Sequence, residues 1–265
     1  MIWLSKTLNK IFSIREQSDG DVVKPFLDHL EDLRVMIFKM LAAVIIATII
    51  SFSFNGWLMD IVRRPLDAQN LGVELVTFQL IEGFMLSLKL SFYAGIVLSF
   101  PFLLWFLAGF VLPALTRKEK RLIMPGVLGG FVLFIIGVIL SYLYILPNTI
   151  HWFANYASSR GLKLTLQAQG YFSFVANLCL ACGLLCELPV VVLVLSALGM
   201  ISYRFLASTR PYAVTIILIV VAILAPTPDP ITFLTLSVPV LAIYELCIWI
   251  VWLMERRRAK RSVEQ

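Results

Sequence analysis

Apolar and polar positions along this 265-residue chain segregate into long blocks, with charged residues gathered between them. Six apolar blocks stand out, at residues 35–54, 84–112, 125–146, 171–198, 212–225 and 231–254. Five of them reach the roughly twenty residues that a helix needs to cross a bilayer. The fifth is bounded by Pro211 and Pro226 and rises only about 21 Å at 1.5 Å per residue, short of a hydrocarbon core of about 30 Å. Ahead of the first block, residues 25–34 set apolar side chains at helical spacing with acids opposite, and Pro25 suits a first turn. The pattern predicts an amphipathic helix leading into a six-helix membrane bundle. Residues 55–82 and 147–170 read as connections on one side of it, Pro101 as a kink in the second span, and Pro239 as an interruption of the sixth.

Composition agrees with that class. The chain is 60% hydrophobic and 14% charged, with a mean hydropathy of +0.91, whereas a soluble domain carries about 25% charged residues. The net charge of +6 has its simplest use in orientation rather than in nucleic-acid binding. Sixteen Lys and Arg residues fall on the side holding both termini, the 113–121 loop and the 203–211 turn, against four on the other, so both termini are expected in the cytoplasm. Residues 1–24 read as a cytoplasmic tail, 25–254 as the membrane domain and 255–265 as a basic cytoplasmic tail. Cys179, Cys182, Cys186 and Cys247 lie in apolar runs and read as small buried residues; no metal cluster and no cofactor are expected.

The candidate chemistry lies where acids break the pattern. Glu187 stands in the fourth apolar block, two residues before Pro189, which brings no N–H and deprives the carbonyl of Leu185 of its helical partner. An acid at the bilayer centre costs about 2.5–3.5 kcal/mol, so Glu187 is expected to face a hydrated interior. On the basic face, Asp28, Glu31, Asp32 and Glu119 are acids that could receive a cation, and two separated carboxylates suit the forked guanidinium groups of paired arginines. A small ion-coupled transporter using Glu187 and Glu245 is the alternative reading, although interrupted spans are not paired in matching halves of the chain. An enzyme is not expected, because His29 and His151 fall on opposite sides of the membrane and no nucleophile adjoins a base.

Several stretches, in order, resemble the TatC family, the polytopic subunit of the twin-arginine protein translocase. They are Asp28-His29-Leu30-Glu31-Asp32-Leu33-Arg34, Ile81-Glu82-Gly83-Phe84, Phe110-Val111-Leu112-Pro113-Ala114-Leu115 with Glu119-Lys120-Arg121, Cys186-Glu187-Leu188-Pro189, and Ala225-Pro226-Thr227-Pro228-Asp229-Pro230. The resemblance implies a concave, cup-like all-α bundle with short fifth and sixth helices, in the bacterial inner membrane. It implies a receptor that binds twin-arginine signal peptides through Asp32 and Glu119, with His29, Leu30, Arg34 and Phe110 shaping the patch. By the same resemblance Glu187 belongs to the intramembrane concavity, Glu82 and Phe84 to an outer cap, and Pro226, Asp229 and Glu245 to the docking region for single-span partners of the TatA and TatB type. Lipid, other copies of the chain and folded cargo are the further implied partners, and the drive is the proton-motive force; the chain has no GxxxxGK[ST] nucleotide loop. Position 32 is Asp where the family commonly has Glu, and Met36 stands where the family often has a second Arg.

Overall fold

The computed structural model describes the backbone of residues 26–69, 73–111, 117–162, 165–197, 201–224 and 230–263. The amphipathic segment and the first apolar block form one helix, α1 (Phe26–Ser53), which turns at Phe54 directly into α2 (Asn55–Asp67). α2 buries Val62, Pro65 and Leu66 while Trp57, Arg63 and Arg64 stay exposed, the pattern of a helix lying along a surface rather than through it. A two-residue strand, β1 (Leu75–Val76), precedes the 30-residue α3 (Glu82–Val111).

The third apolar block departs from expectation at its end. α4 (Arg117–Leu140) does not stop near residue 146 but passes through a π-helical turn at Ser141–Ile145 into α5 (Leu146–Ser159), so much of the expected 147–170 connection is helix. Pro147 had read as a stop. The wider turn, in which the N–H of Leu146 reaches the carbonyl of Ser141, re-registers the backbone just before the proline ring, which then occupies a first-turn position where no donor is required. Strand β2 (Leu166–Gln167) follows and pairs in parallel with β1, Leu75 opposite Leu166.

The fourth block is α6 (Ala168–Leu185) and α7 (Leu188–Ala197), separated by Cys186 and Glu187 where Pro189 breaks the ladder. The short α8 (Tyr203–Ser208) leads to α9 (Arg210–Leu224), whose 15 residues agree with the truncated fifth span. The expectation of a short sixth helix fails: α10 (Pro230–Val263) has 34 residues and passes Pro239 without a break. A proline costs a helix one donor, and inside a bundle that loss is tolerated where neighbouring helices cover the freed carbonyl. α10 also runs through residue 254 into the basic tail, so no structural boundary falls there.

Among the described residues five stretches are long and apolar enough to cross a membrane: His29–Ser53, Glu82–Val111, Pro125–Ser159, Ala168–Ser196 and Thr232–Leu253. The apolar helix Arg210–Ile223 is shorter. Only 11% of the most apolar part of the first stretch is buried within the protein against 39% for the fourth, so α6 is central and α1 presents most of its surface outward. Such outward apolar surface suits lipid, where hydrophobicity does not drive helices together and close approach of small residues does. Gly95 of α3 is that kind of contact, since a methyl placed on it would lie 2.8 Å from the Thr48 Cα of α1. Gly137 of α4 and Gly183 of α6 are two more. A methyl at Gly137 would meet the Cys182 carbonyl oxygen at 2.8 Å, and one at Gly183 would meet the Phe134 ring at 2.7 Å.

Candidate functional site

Polar groups collect at three levels of the bundle. At one end, the last turn of α3 meets the first turns of α1: the His29 imidazole stacks on the Phe110 ring with centroids 4.4 Å apart and planes 14° from parallel. The half-buried Asp32 lies three residues along α1, on the same face as His29 by helical spacing. Leu30 is exposed, and the Arg34 guanidinium lies over the Phe38 ring at 5.8 Å. Because α3 ends at Val111 and α4 begins at Arg117, the backbone of Glu119 belongs to this same end. The Glu119 side chain lies outside the described residues.

At the level of the helix break, Glu187 packs inward. Its carboxylate is close enough to α4 that a methyl on Gly130 would come within 2.8 Å of Oε2 and within 3.2 Å of Leu104. Gly130 therefore makes the space that the acid occupies. Oε1 is buried with no hydrogen-bond partner, while the backbone N–H of Glu187 reaches the Leu184 carbonyl at 3.1 Å. A carboxylate oxygen so placed is costly unless something polar reaches it. The acid thus does not point outward at acyl chains.

The opposite end is built around Glu82, which is 2% exposed and begins α3. Its Oε2 accepts from the backbone N–H groups of Phe78 at 2.8 Å and Gln79 at 3.3 Å; its Oε1 accepts from Gln167 Nε2 at 2.9 Å and from the Gln169 N–H at 3.4 Å. One carboxylate thereby holds the entry to α3 and the start of α6 together, beside the β1–β2 pair. Phe84 points outward and is exposed. Glu82 and Phe110, some 42 Å apart along α3 at 1.5 Å per residue, cannot share a site.

Some contacts were not expected from the sequence. Glu245 of α10 forms an ion pair with Arg210 of α9 at 3.0 Å, and Glu255 accepts from the Tyr203 N–H at 2.7 Å, so α8 and α9 are both tied to α10. Tyr142, in the π-helical turn, donates its hydroxyl to the carbonyl of Ile61 at 2.7 Å, and Tyr171 donates to Val62 at 3.0 Å. Pro65 was the available signal, because it removes the donor that would have served Ile61. Pro226 and Asp229 lie outside the described residues. Among the described residues no cluster of His, Cys, Asp and Glu could hold a metal ion.

The fold and these groups define a polytopic α-helical membrane protein with polar clusters at both ends and one acid lodged in its interior. The family model described as Sec-independent protein translocase protein (TatC) matches residues 28–239. The TatC protein of Akkermansia muciniphila is 40% identical over 188 residues, which are 71% of this chain and 54% of that relative, so the match takes in little more than half of its length. The chloroplastic TATC of Oryza sativa subsp. japonica is 34% identical over 95% of this chain and 69% of its own. A crystal structure of the twin arginine translocase receptor TatC superposes with a TM-score of 0.77 at 31% identity, covering 85% of this chain and 98% of the other. The chain belongs to the TatC family. It is a protein-translocase component rather than an enzyme, and the relatives do not favour the ion-coupled transporter.

Proposed function

We propose that this chain is the receptor and core subunit of a twin-arginine translocase, taking signal peptides with paired arginines at the end of the bundle where His29 stacks on Phe110. That stack carries the reading. It pins the first turns of α1 against the last turn of α3 and so presents Asp32 at the end from which α4 and Glu119 depart. Two carboxylates on separate helices suit two guanidinium groups, each able to form a forked, charge-assisted pair. Arg34 and the exposed Leu30 and Phe38 supply a rim for the peptide's apolar residues.

The remaining parts follow. α9 completes six spans as a short helix in a thinned or wetted region, and both termini face the cytoplasm of a bacterial inner membrane. Glu187 meets water or passing cargo from the interior of the bundle, while Glu82 and Phe84 belong to the outer cap. Single-span TatA- and TatB-type proteins dock by α9 and α10 near Pro226, Asp229 and Glu245, further copies of the chain join the complex, and the proton-motive force drives export.

The test is photocrosslinking of a twin-arginine peptide to the reconstituted complex, read residue by residue. Replacing Asp32 and Glu119 together by Ala is expected to reduce the crosslinks at the α1–α3 end to background while the protein still inserts. Unchanged crosslinking would remove those acids from the peptide site.

A further inference from the structure

Where it leaves the bundle, α10 carries two stripes of side chains at i, i+3 and i+7 spacing. Ile248, Val251 and Glu255 make one. Ile248 and Val251 are 1% and 0% exposed and pack with Leu206 of α8, and Glu255 accepts from the Tyr203 N–H at 2.7 Å, so this stripe is committed to α8. Trp249, Trp252 and Arg256 make the other, and it faces outward. Trp249 is 63% exposed and Trp252 37%, and the exposed Arg256 holds its guanidinium over the Trp252 ring, 5.2 Å from the centroid. Stacking on a ring face leaves the N–H edge of a guanidinium free to donate. Among the described residues Arg256 has no ion-pair partner, and the acid next to it in sequence, Glu255, is turned to Tyr203.

The level of this outward stripe in the membrane follows from the span. Thr232–Leu253 has 22 residues and rises about 33 Å, enough to fill a hydrocarbon core of about 30 Å. Leu253 therefore ends the acyl region and Trp249 and Trp252 stand at its edge. Arg256, about 4.5 Å further along the helix, reaches the level of lipid phosphates. The helix backbone continues to Val263, and five of the six positions from 256 to 261 are Arg or Lys. All of them lie beyond residue 239, where the family match ends. A run of four to eight bases directly outside a span attracts anionic lipid, each base adding to the pull. We infer that the end of α10 is a docking surface for anionic phospholipid headgroups in the leaflet on the α8 side. Arg256 donates to a lipid phosphate, Trp249 and Trp252 hold the boundary between headgroups and acyl chains, and the basic run supplies the field that selects a net-negative headgroup. The surface needs neither Asp32 nor Glu119, so it stands apart from the peptide site.

A benzophenone amino acid in place of the exposed Leu253 tests this in the full-length protein, reconstituted into vesicles of equal parts phosphatidylglycerol and phosphatidylcholine. After illumination, mass spectrometry reads which lipid was captured. At Leu253 phosphatidylglycerol is expected to exceed phosphatidylcholine roughly tenfold. The control is Leu143, exposed about 27 Å along the span that starts at Pro125 and so in the other leaflet, where the two lipids should be captured about equally. Replacing Arg256, Arg257, Arg258, Lys260 and Arg261 together by Gln should bring the two lipids level at Leu253, and Arg256→Gln alone should lower the preference about fivefold. Equal capture at Leu253 in the unaltered tail would overturn the inference and leave the basic run to an acidic protein partner. The same preference at Leu143, or one that survives the joint replacement, would overturn it too. So would loss of the phosphatidylglycerol crosslinks to glycerol phosphate at the same concentration as the lipid, the mark of a free-phosphate site in which the bilayer has no part. If the joint variant does not insert, Arg256→Gln decides: an unchanged preference there rejects the surface.

Discussion

The hydroxyl of Tyr142 carries more of the architecture than its position in an apolar run suggests. Pro65 leaves the carbonyl of Ile61 without the N–H that an α-helix supplies, and Tyr142 fills that vacancy from another helix. Tyr171 makes a similar bond to Val62, but that carbonyl also has the N–H of Leu66 at its regular helical position. The two phenols should therefore respond differently. Tyr142→Phe is expected to destabilise the protein by about 1–3 kcal/mol, because a partly buried acceptor is left bare, and Tyr171→Phe by under about 1 kcal/mol. Thermal unfolding in one detergent, read side by side, checks the order; equal losses would mean that the proline plays no part. Glu82→Gln makes a separate case, since every group facing that carboxylate is an N–H donor and the added amide would meet donors on one side. It is expected to lower the melting temperature and to expose the Phe78–Gln79 amides to hydrogen exchange, whereas a variant at the exposed Phe84 should do neither.

At the scale of elements, the spans were legible because a bilayer demands long apolar blocks and polar connections, and both survive without an alignment. The truncated α9 and the break before α7 followed from Pro211, Pro226 and Pro189 in the same way. What stayed hidden were the continuations. Pro147 read as the end of a helix because the π-helical turn ahead of it has no sequence pattern, and Pro239 read as an interruption because a lone proline does not show whether the helix resumes beyond it. Nor did the sequence indicate which glycines face another helix, and there the structure makes a sharp prediction. Gly95→Val would force a side chain against the Thr48 backbone, and it is expected to cost roughly 1–3 kcal/mol in thermal unfolding, where Gly109→Val, with open space around it, should cost nothing, because valine is the better helix former. The same response at both positions would show that the α1–α3 seam yields around Thr48.

For the molecule as a whole, the two ends of the bundle differ in how they were read. The end where α1 meets α3 was partly legible, since the charge distribution put Asp32 and Glu119 on one face, but the His29–Phe110 stack joins residues too far apart along the chain for a local pattern to connect, and the pairing of those two acids as a peptide site came only from resemblance. The end holding Glu82 was partly legible too, since Glu82 opens a span, but Gln167 and the β1–β2 pairing lie too far along the chain for a local pattern to connect. Sidedness is a property of the entire protein and can be tested as one. In intact cells an impermeant maleimide should label a cysteine placed at Leu80, which is fully exposed, and should reach one placed at Arg204 only after the membrane is opened. The reverse pattern would invert the proposed orientation.

The clasp at Glu82 also determines which way the bundle can yield. There the loop before α3, the start of α6 and a pair of strands are riveted by backbone and amide groups, whereas at the far end α1 meets α3 through the stacked rings of His29 and Phe110. A molecule fastened by hydrogen bonds at one end and by aromatic faces at the other is expected to part first between the rings, with the buried carboxylate of Glu82 as its hinge.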